Sequence, residues 1–92
     1  DLNKSESLNP NDPEVFNNRA NIRMLIGDYT SAIADYDKAI KLRENYAIAY
    51  YNRAVARIMM TKRGLACEDF NKSLIFGYEP ARQAVSDFCT TR

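Results

Sequence analysis

The sequence predicts an all-α array of helix–turn–helix repeats. Three observations carry that reading. A residue pattern recurs every 34 positions, the apolar residues within each period fall at helical spacing, and helix-breaking residues separate the apolar stripes.

The repeat comes first because the rest depends on it. Asn18-Arg19-Ala20 aligns with Asn52-Arg53-Ala54 at an offset of 34. At that offset Arg23 meets Arg57, Ala32 meets Ala66, Asp35 meets Asp69 and Lys38 meets Lys72. Phe16 pairs with Tyr50, Tyr36 with Phe70, and Ile40 with Leu74. The run Asp35-Tyr36-Asp37-Lys38-Ala39 has a forward copy in Asp69-Phe70-Asn71-Lys72-Ser73. It also has a backward one in Asp1-Leu2-Asn3-Lys4-Ser5.

Residues 1–12 therefore read as the tail of a preceding unit whose partner helix lies upstream, as in a fragment of a longer array. Glu6 interrupts the apolar stripe there, so residues 1–8 are expected to be the least ordered part. The unit 13–46 opens with Asp12, a good N-cap, and Pro13, a good first helical residue. Val15, Phe16, Ala20 and Met24 form its first stripe, and Tyr29, Ala32, Ile33, Tyr36, Ala39 and Ile40 form its second. Gly27-Asp28 divides the two. The unit 47–80 repeats the plan: a helix from Ala47 to Met60, a break near Thr61-Lys62, then a helix over roughly Arg63 to Phe76. Gly77 suits the left-handed residue that ends a helix, and Pro80 restarts one. The segment 81–92 places Ala84, Val85 and Phe88 on one face and closes on polar Thr90, Thr91 and Arg92. It reads as a terminal helix covering the exposed end of the array.

Composition limits the chemistry. The 92 residues carry 13 Lys and Arg against 12 Asp and Glu, a net charge of +1. That balance disfavours an electrostatic nucleic-acid binder, single-stranded RNA included. No apolar run approaches the roughly 20 residues of a membrane span. The longest candidate, Ala54 to Met60, contains Arg57. No signal peptide is visible at the start, and the compartment stays open between a cytoplasmic, a periplasmic and a secreted location. With no His, only Cys67 and Cys89 as thiols, and no glycine-rich loop, neither catalysis nor a cofactor nor a metal site is expected.

A 34-residue helix–turn–helix with an aromatic early in its first helix resembles the tetratricopeptide repeat. Phe16, Ala20, Gly27-Asp28-Tyr29, Ala32, Tyr36, Ala39 and Leu42 carry the likeness in the first unit. Tyr50, Ala54, Ala66, Phe70 and Leu74 carry it in the second. Leu8-Asn9-Pro10-Asn11 looks like the end of a preceding unit. The departures are Arg19, Arg53, Arg23 and Arg57 at positions that are commonly Leu or aromatic, Glu44 where Pro is usual, and a second unit without the Gly-Asp-Tyr turn. The resemblance implies a right-handed α–α superhelix with a concave groove lined by the first helix of each unit.

The same resemblance implies which residues face that groove. Glu14, Asn17, Asn18, Asn21 and Leu25 would come from the first unit, and Ile48, Tyr51, Asn52, Val55 and Met59 from the second. The terminal helix would add Arg82 and Ser86. Asparagine amides supply both a donor and an acceptor to an extended peptide backbone, while Tyr51, Val55 and Met59 suit an apolar side chain. The alternative is a solvated face with a few exposed apolar atoms. Some family members hold the C-terminal carboxylate of heat-shock chaperones with two asparagines and three cations. Asn21, Asn52 and Arg82 match that clamp, but Asn17 and Ser86 stand where cations are needed. Without those charges most of the attraction is missing, so an internal, mixed polar–apolar segment is the expected ligand.

Arg19, Arg23, Arg53 and Arg57 could grip an acidic ligand. Because matching carboxylates recur with the same period, pairing with Asp35, Asp69 and Glu68 within the chain is preferred. Cys67 and Cys89 fall at about the same level on neighbouring helices, so a disulfide is geometrically conceivable. The simpler reading, and the one preferred, is two free thiols buried between helices. Tyr29, Tyr36 and Tyr50 are expected in the core, Tyr46 and Tyr78 at turns, and Tyr51 at the ligand. The function expected is a non-catalytic module binding a protein or peptide. A second expectation is self-association, as a homo-oligomer, through the open N-terminal end.

Overall fold

A computed structural model describes residues 11–89. The expectations for residues 1–8, for the tail of a preceding unit up to residue 10, and for Thr90, Thr91 and Arg92 lie outside the described residues. Among the described residues the chain forms five helices and no strand: α1 (Pro13–Leu25), α2 (Tyr29–Leu42), α3 (Ala47–Met59), α4 (Arg63–Ile75) and α5 (Pro80–Cys89). Each packs on its neighbours in the chain, and α1 also meets α3, as an array of helical hairpins requires.

Local chemistry accounts for the helix ends. The Asp12 side chain accepts a hydrogen bond from Glu14 N at 2.9 Å, with Pro13 in the first turn. Asp28 does the same for α2, accepting from Ser31 N at 3.3 Å. Gly27, at φ 82°, and Gly77, at φ 104°, take the left-handed conformation between successive helices. The second hairpin has neither device. Thr61, 34 positions after Gly27, is left-handed at φ 61°, and Lys62, in the place of Asp28, gives α4 no side-chain cap.

The core lies in two clusters. Ala20, Ala32, Tyr36, Ala39, Ile40, Ala49 and Tyr50 form the first, with Phe16, Met24 and Tyr46 packed against it. Ala54, Ala66, Phe70 and Ala84 form the second, flanked by Tyr51, Val55, Ile58, Val85, Phe88 and Cys89. The alanines Ala20, Ala32, Ala39, Ala49, Ala54 and Ala66 are fully buried, which lets the helices approach closely around a few large rings. Those rings recur with the repeat. Arg19 and Lys38 stand 5.3 and 5.5 Å from the Phe16 ring, and Arg53 and Lys72 stand 5.4 and 5.7 Å from Tyr50.

The expectation for the cysteines is corrected. Cys67 and Cys89 are not free thiols: they form a disulfide, with Cα atoms 5.5 Å apart, between α4 and the last residue of α5. The reason is positional. Cys67 and Cys89 stand 34 residues after Ile33 and Val55, so the bond occupies a helix–helix packing position of the repeat.

Candidate functional site

The structure brings three of the expected groove residues together. The Asn52 Nδ2 amide on α3 donates to Asn17 Oδ1 at 3.4 Å and to Asn21 Oδ1 at 3.3 Å, both on α1. The Tyr36 hydroxyl on α2 donates to the same Asn21 oxygen. Asn17 is buried, Asn52 half-buried and Asn21 exposed, so the cluster runs from the interior to the surface. Asn21 Nδ2, a donor, and Asn52 Oδ1, an acceptor, remain without a protein partner among the described residues. Burial, and then the neighbouring Asp35 carboxylate, raise the Tyr36 pKa above its ordinary value of 10.0 and keep this donor protonated.

Around these amides the expected positions divide. Leu25 and Met59 are exposed, at 87% and 54%, and Ile48, Asn18, Glu14, Ser86 and Arg82 are exposed as well. Tyr51 and Val55 are half-buried against the second core cluster. The Tyr51 ring lies 5.4 Å from Phe70 and 5.1 Å from Tyr78, both edge-on, so much of its surface is already used in packing. Tyr78, expected to close a turn, thus also props the Tyr51 ring. Arg82 is held by Glu79, the residue just before α5, at 3.1 Å.

The four repeated arginines are occupied within the chain. Arg19 Nε and Nη2 donate to Asp35 Oδ2 and Oδ1 at 3.0 and 2.9 Å, and Arg23 Nη1 adds a third bond at 2.8 Å. One period later Arg53 grips Asp69 in the same two-pronged way at 2.9 and 2.7 Å, and Arg57 joins at 2.7 Å. Asp35 and Asp69 are each 2% exposed, so these are desolvated clusters joining the two helices of each hairpin. Glu68 is exposed and takes no part, which corrects the expectation that it would pair with the arginines.

Sequence reasoning missed two partners. Asp37 on α2 accepts from Arg53 Nη1 at 2.6 Å and bridges one hairpin to the next. Burial acts to lower the Arg53 pKa, and the hydrogen bonds to Asp69 and then Asp37 outweigh it, holding the guanidinium above its ordinary value. The signal was present: Asp37 precedes Arg53 by 16 residues, the spacing at which Asp35 follows Arg19. The buried Ser73 hydroxyl donates to Ala47 O at 2.8 Å, tying α4 to the start of α3. It stands where the first unit has Ala39, and nothing in the pattern marks it.

Comparison with known proteins places the chain. The family model described as TPR repeat matches residues 20–60. The match, together with the structural likenesses below, supports assigning the chain to the tetratricopeptide repeat family. Its fold is shared with the first TPR of Spaghetti (RPAP3), solved bound to the HSP90 peptide SRMEEVD, at a TM-score of 0.86 and 24% identity over 95% of this chain and 71% of that one. The TPR protein YrrB, described as having an unusual peptide-binding site, matches at a TM-score of 0.80 and 28% identity, over 84% of this chain and 40% of that one. The MamA protein matches at a TM-score of 0.81 and 26% identity, over 91% and 47%. Among curated proteins, U-box domain-containing protein 70 of Oryza sativa subsp. japonica is 30% identical over 78 residues. That alignment covers 75% of this chain but only 10% of the relative's length. The tetratricopeptide repeat is in general a non-catalytic protein-interaction fold. Among the described residues no helix is long and apolar enough to cross a membrane.

Proposed function

We propose that this tetratricopeptide repeat chain is a non-catalytic interaction module that takes an extended peptide segment of a partner protein along the face formed by α1, α3 and α5. The observation that carries the proposal is the asparagine cluster. Asn52 bridges Asn17 and Asn21, and the linked amides keep one donor, Asn21 Nδ2, and one acceptor, Asn52 Oδ1, the two kinds of group a peptide backbone needs. Exposed Leu25 and Met59 flank those amides and suit an apolar ligand side chain. The ligand is neutral rather than acidic, because Arg19, Arg23, Arg53, Arg57 and Arg82 already face carboxylates of the chain. On this reading the acidic peptide held by the Spaghetti domain is not the ligand class here.

A peptide-array screen tests the proposal, with the N52A/M59A variant beside the wild type and Glu68→Ala as a control on an exposed residue outside the face. Binding lost in N52A/M59A and kept in the control is the expected result. Equal binding by all three proteins contradicts it. Self-association is a second reading, and the surface it would use is the open depression that Phe16 and Leu42 line with Asn11, Lys38 and Lys41. Light scattering across a range of concentrations separates the two, since a constant monomer mass removes the second.

A further inference from the structure

We infer that the Cys67–Cys89 disulfide is a redox-sensitive latch that decides whether α5 stays docked on α4. The inference concerns the docking of α5 and stands apart from any peptide ligand.

Helix α5 has only ten residues, and a helix of that length is marginal in water without tertiary support. Its apolar anchorage is small: Ala81 and Ala84 are buried, Val85 and Phe88 are half-buried, and Phe88 stacks on Phe70 at 5.7 Å. The electrostatic clamp of the repeat is not renewed. Arg19 and Arg53 lock their hairpins through Asp35 and Asp69, but the residue 34 positions after Arg53 is Asp87, paired instead with Gln83 one turn away. The bond to Cys67 therefore ties down the last residue of a helix that the repeat's own devices leave weakly held.

Both cysteines are half-buried, so the bond lies at the margin of the second core cluster rather than sealed inside it, and a small dithiol is the reagent suited to it. A thiolate of that dithiol attacks one sulfur, the other cysteine leaves as a thiolate and takes a proton, and the second thiol of the reagent resolves the mixed disulfide. Two electrons and two protons pass to the protein, giving Cys67 and Cys89 thiols, and the dithiol becomes a cyclic disulfide. Opening the loop between residues 67 and 89 restores chain entropy to the released segment, so α5 leaves Phe70, Ala66 and Tyr51 uncovered.

Hydrogen–deuterium exchange of the full chain, oxidised and in dithiothreitol, tests this. On reduction the amides of residues 81–89 should exchange about a hundredfold faster, with those of α1 and α2 nearly unchanged. The variant C67I/C89V installs the residues Ile33 and Val55 found one period earlier, and its α5 should be protected equally with and without reductant. Equal protection of α5 in the two states of the wild type overturns the inference. Uniform loss over all five helices also overturns it, since it would mark a global staple, and so would two reactive thiols in unreduced, denatured protein prepared under oxidising conditions.

Discussion

Asp35 and Asp69 show how one residue type serves the array. Each buried carboxylate accepts from two guanidinium groups, and removing its charge leaves those cations without a counter-ion. The cost depends on how much water the arginines keep. Arg19 and Arg23 side chains are 34% and 35% exposed, whereas Arg53 and Arg57 are 15% and 18% exposed. Asp69→Asn is therefore expected to destabilise by about 3 kcal/mol and Asp35→Asn by about 2 kcal/mol, after discounting for solvent at the outer cluster. Urea unfolding of both variants checks the order, and a larger loss for Asp35→Asn would refute it. Tyr36 gives a pH prediction. Its folded pKa lies above its ordinary 10.0 because burial, and then Asp35, disfavour the phenolate. The resulting stability is complete below about pH 10 and declines as pH rises towards the folded value. Tyr36→Phe should flatten that alkaline decline while costing about 1 kcal/mol at pH 7 through loss of the Asn21 bond. Unfolding curves at pH 8 and 11 separate the two effects. The Arg–Asp clusters were legible because the partners share a period. The disulfide was legible only as a possibility, since level placement of two cysteines is equally compatible with free thiols. Ser73 was not legible, because a backbone acceptor leaves no mark in the sequence.

At the scale of the element, the two turns of the repeat form a natural comparison. Gly27-Asp28 ends one helix with a left-handed glycine and caps the next with a carboxylate, whereas Thr61-Lys62 must do both without either feature. A β-branched residue in the left-handed region carries strain of roughly 1–2 kcal/mol, so Thr61→Gly is expected to stabilise the chain. Lys62→Asp should supply the missing cap and place a negative charge at the start of α4, for about 1 kcal/mol. The double variant T61G/K62D should melt higher by about 5 °C or more, by calorimetry, and an unchanged or lower midpoint would contradict this account of the turn. The repeat also implies that Ile33 and Val55 share the geometry of Cys67 and Cys89. In I33C/V55C a second disulfide should form on air oxidation, seen as a loss of 2 Da per bond in the intact mass. Helix existence was plain in the sequence because amphipathic period and breakers agreed. Two observed ends, Met59 and Ile75, fall one residue short of the expected Met60 and Phe76, since the last residues turn out of the helix before the left-handed positions.

For the whole molecule, the decisive property is that charge is used internally. The buried Arg–Asp clusters hold each hairpin together, Asp37 joins the hairpins, and the face carrying Asn17, Asn21 and Asn52 is left to amides and exposed Leu25 and Met59. Ligand affinity on that face is accordingly expected to change less than about threefold between 50 and 500 mM salt, as measured by calorimetry, whereas an acidic-tail clamp would weaken far more. The family was readable because three copies of one pattern fixed the period. The role of Tyr51 was only half readable, because nothing along the chain announces that Phe70 and Tyr78 close around its ring. Chemical-shift mapping of the labelled chain with an array-selected peptide tests the central claim most directly. The proposed module predicts shifts centred on Asn17, Asn21, Asn52 and Met59 across α1 and α3. Shifts centred instead on the exposed residues of α2 and α4 would contradict it.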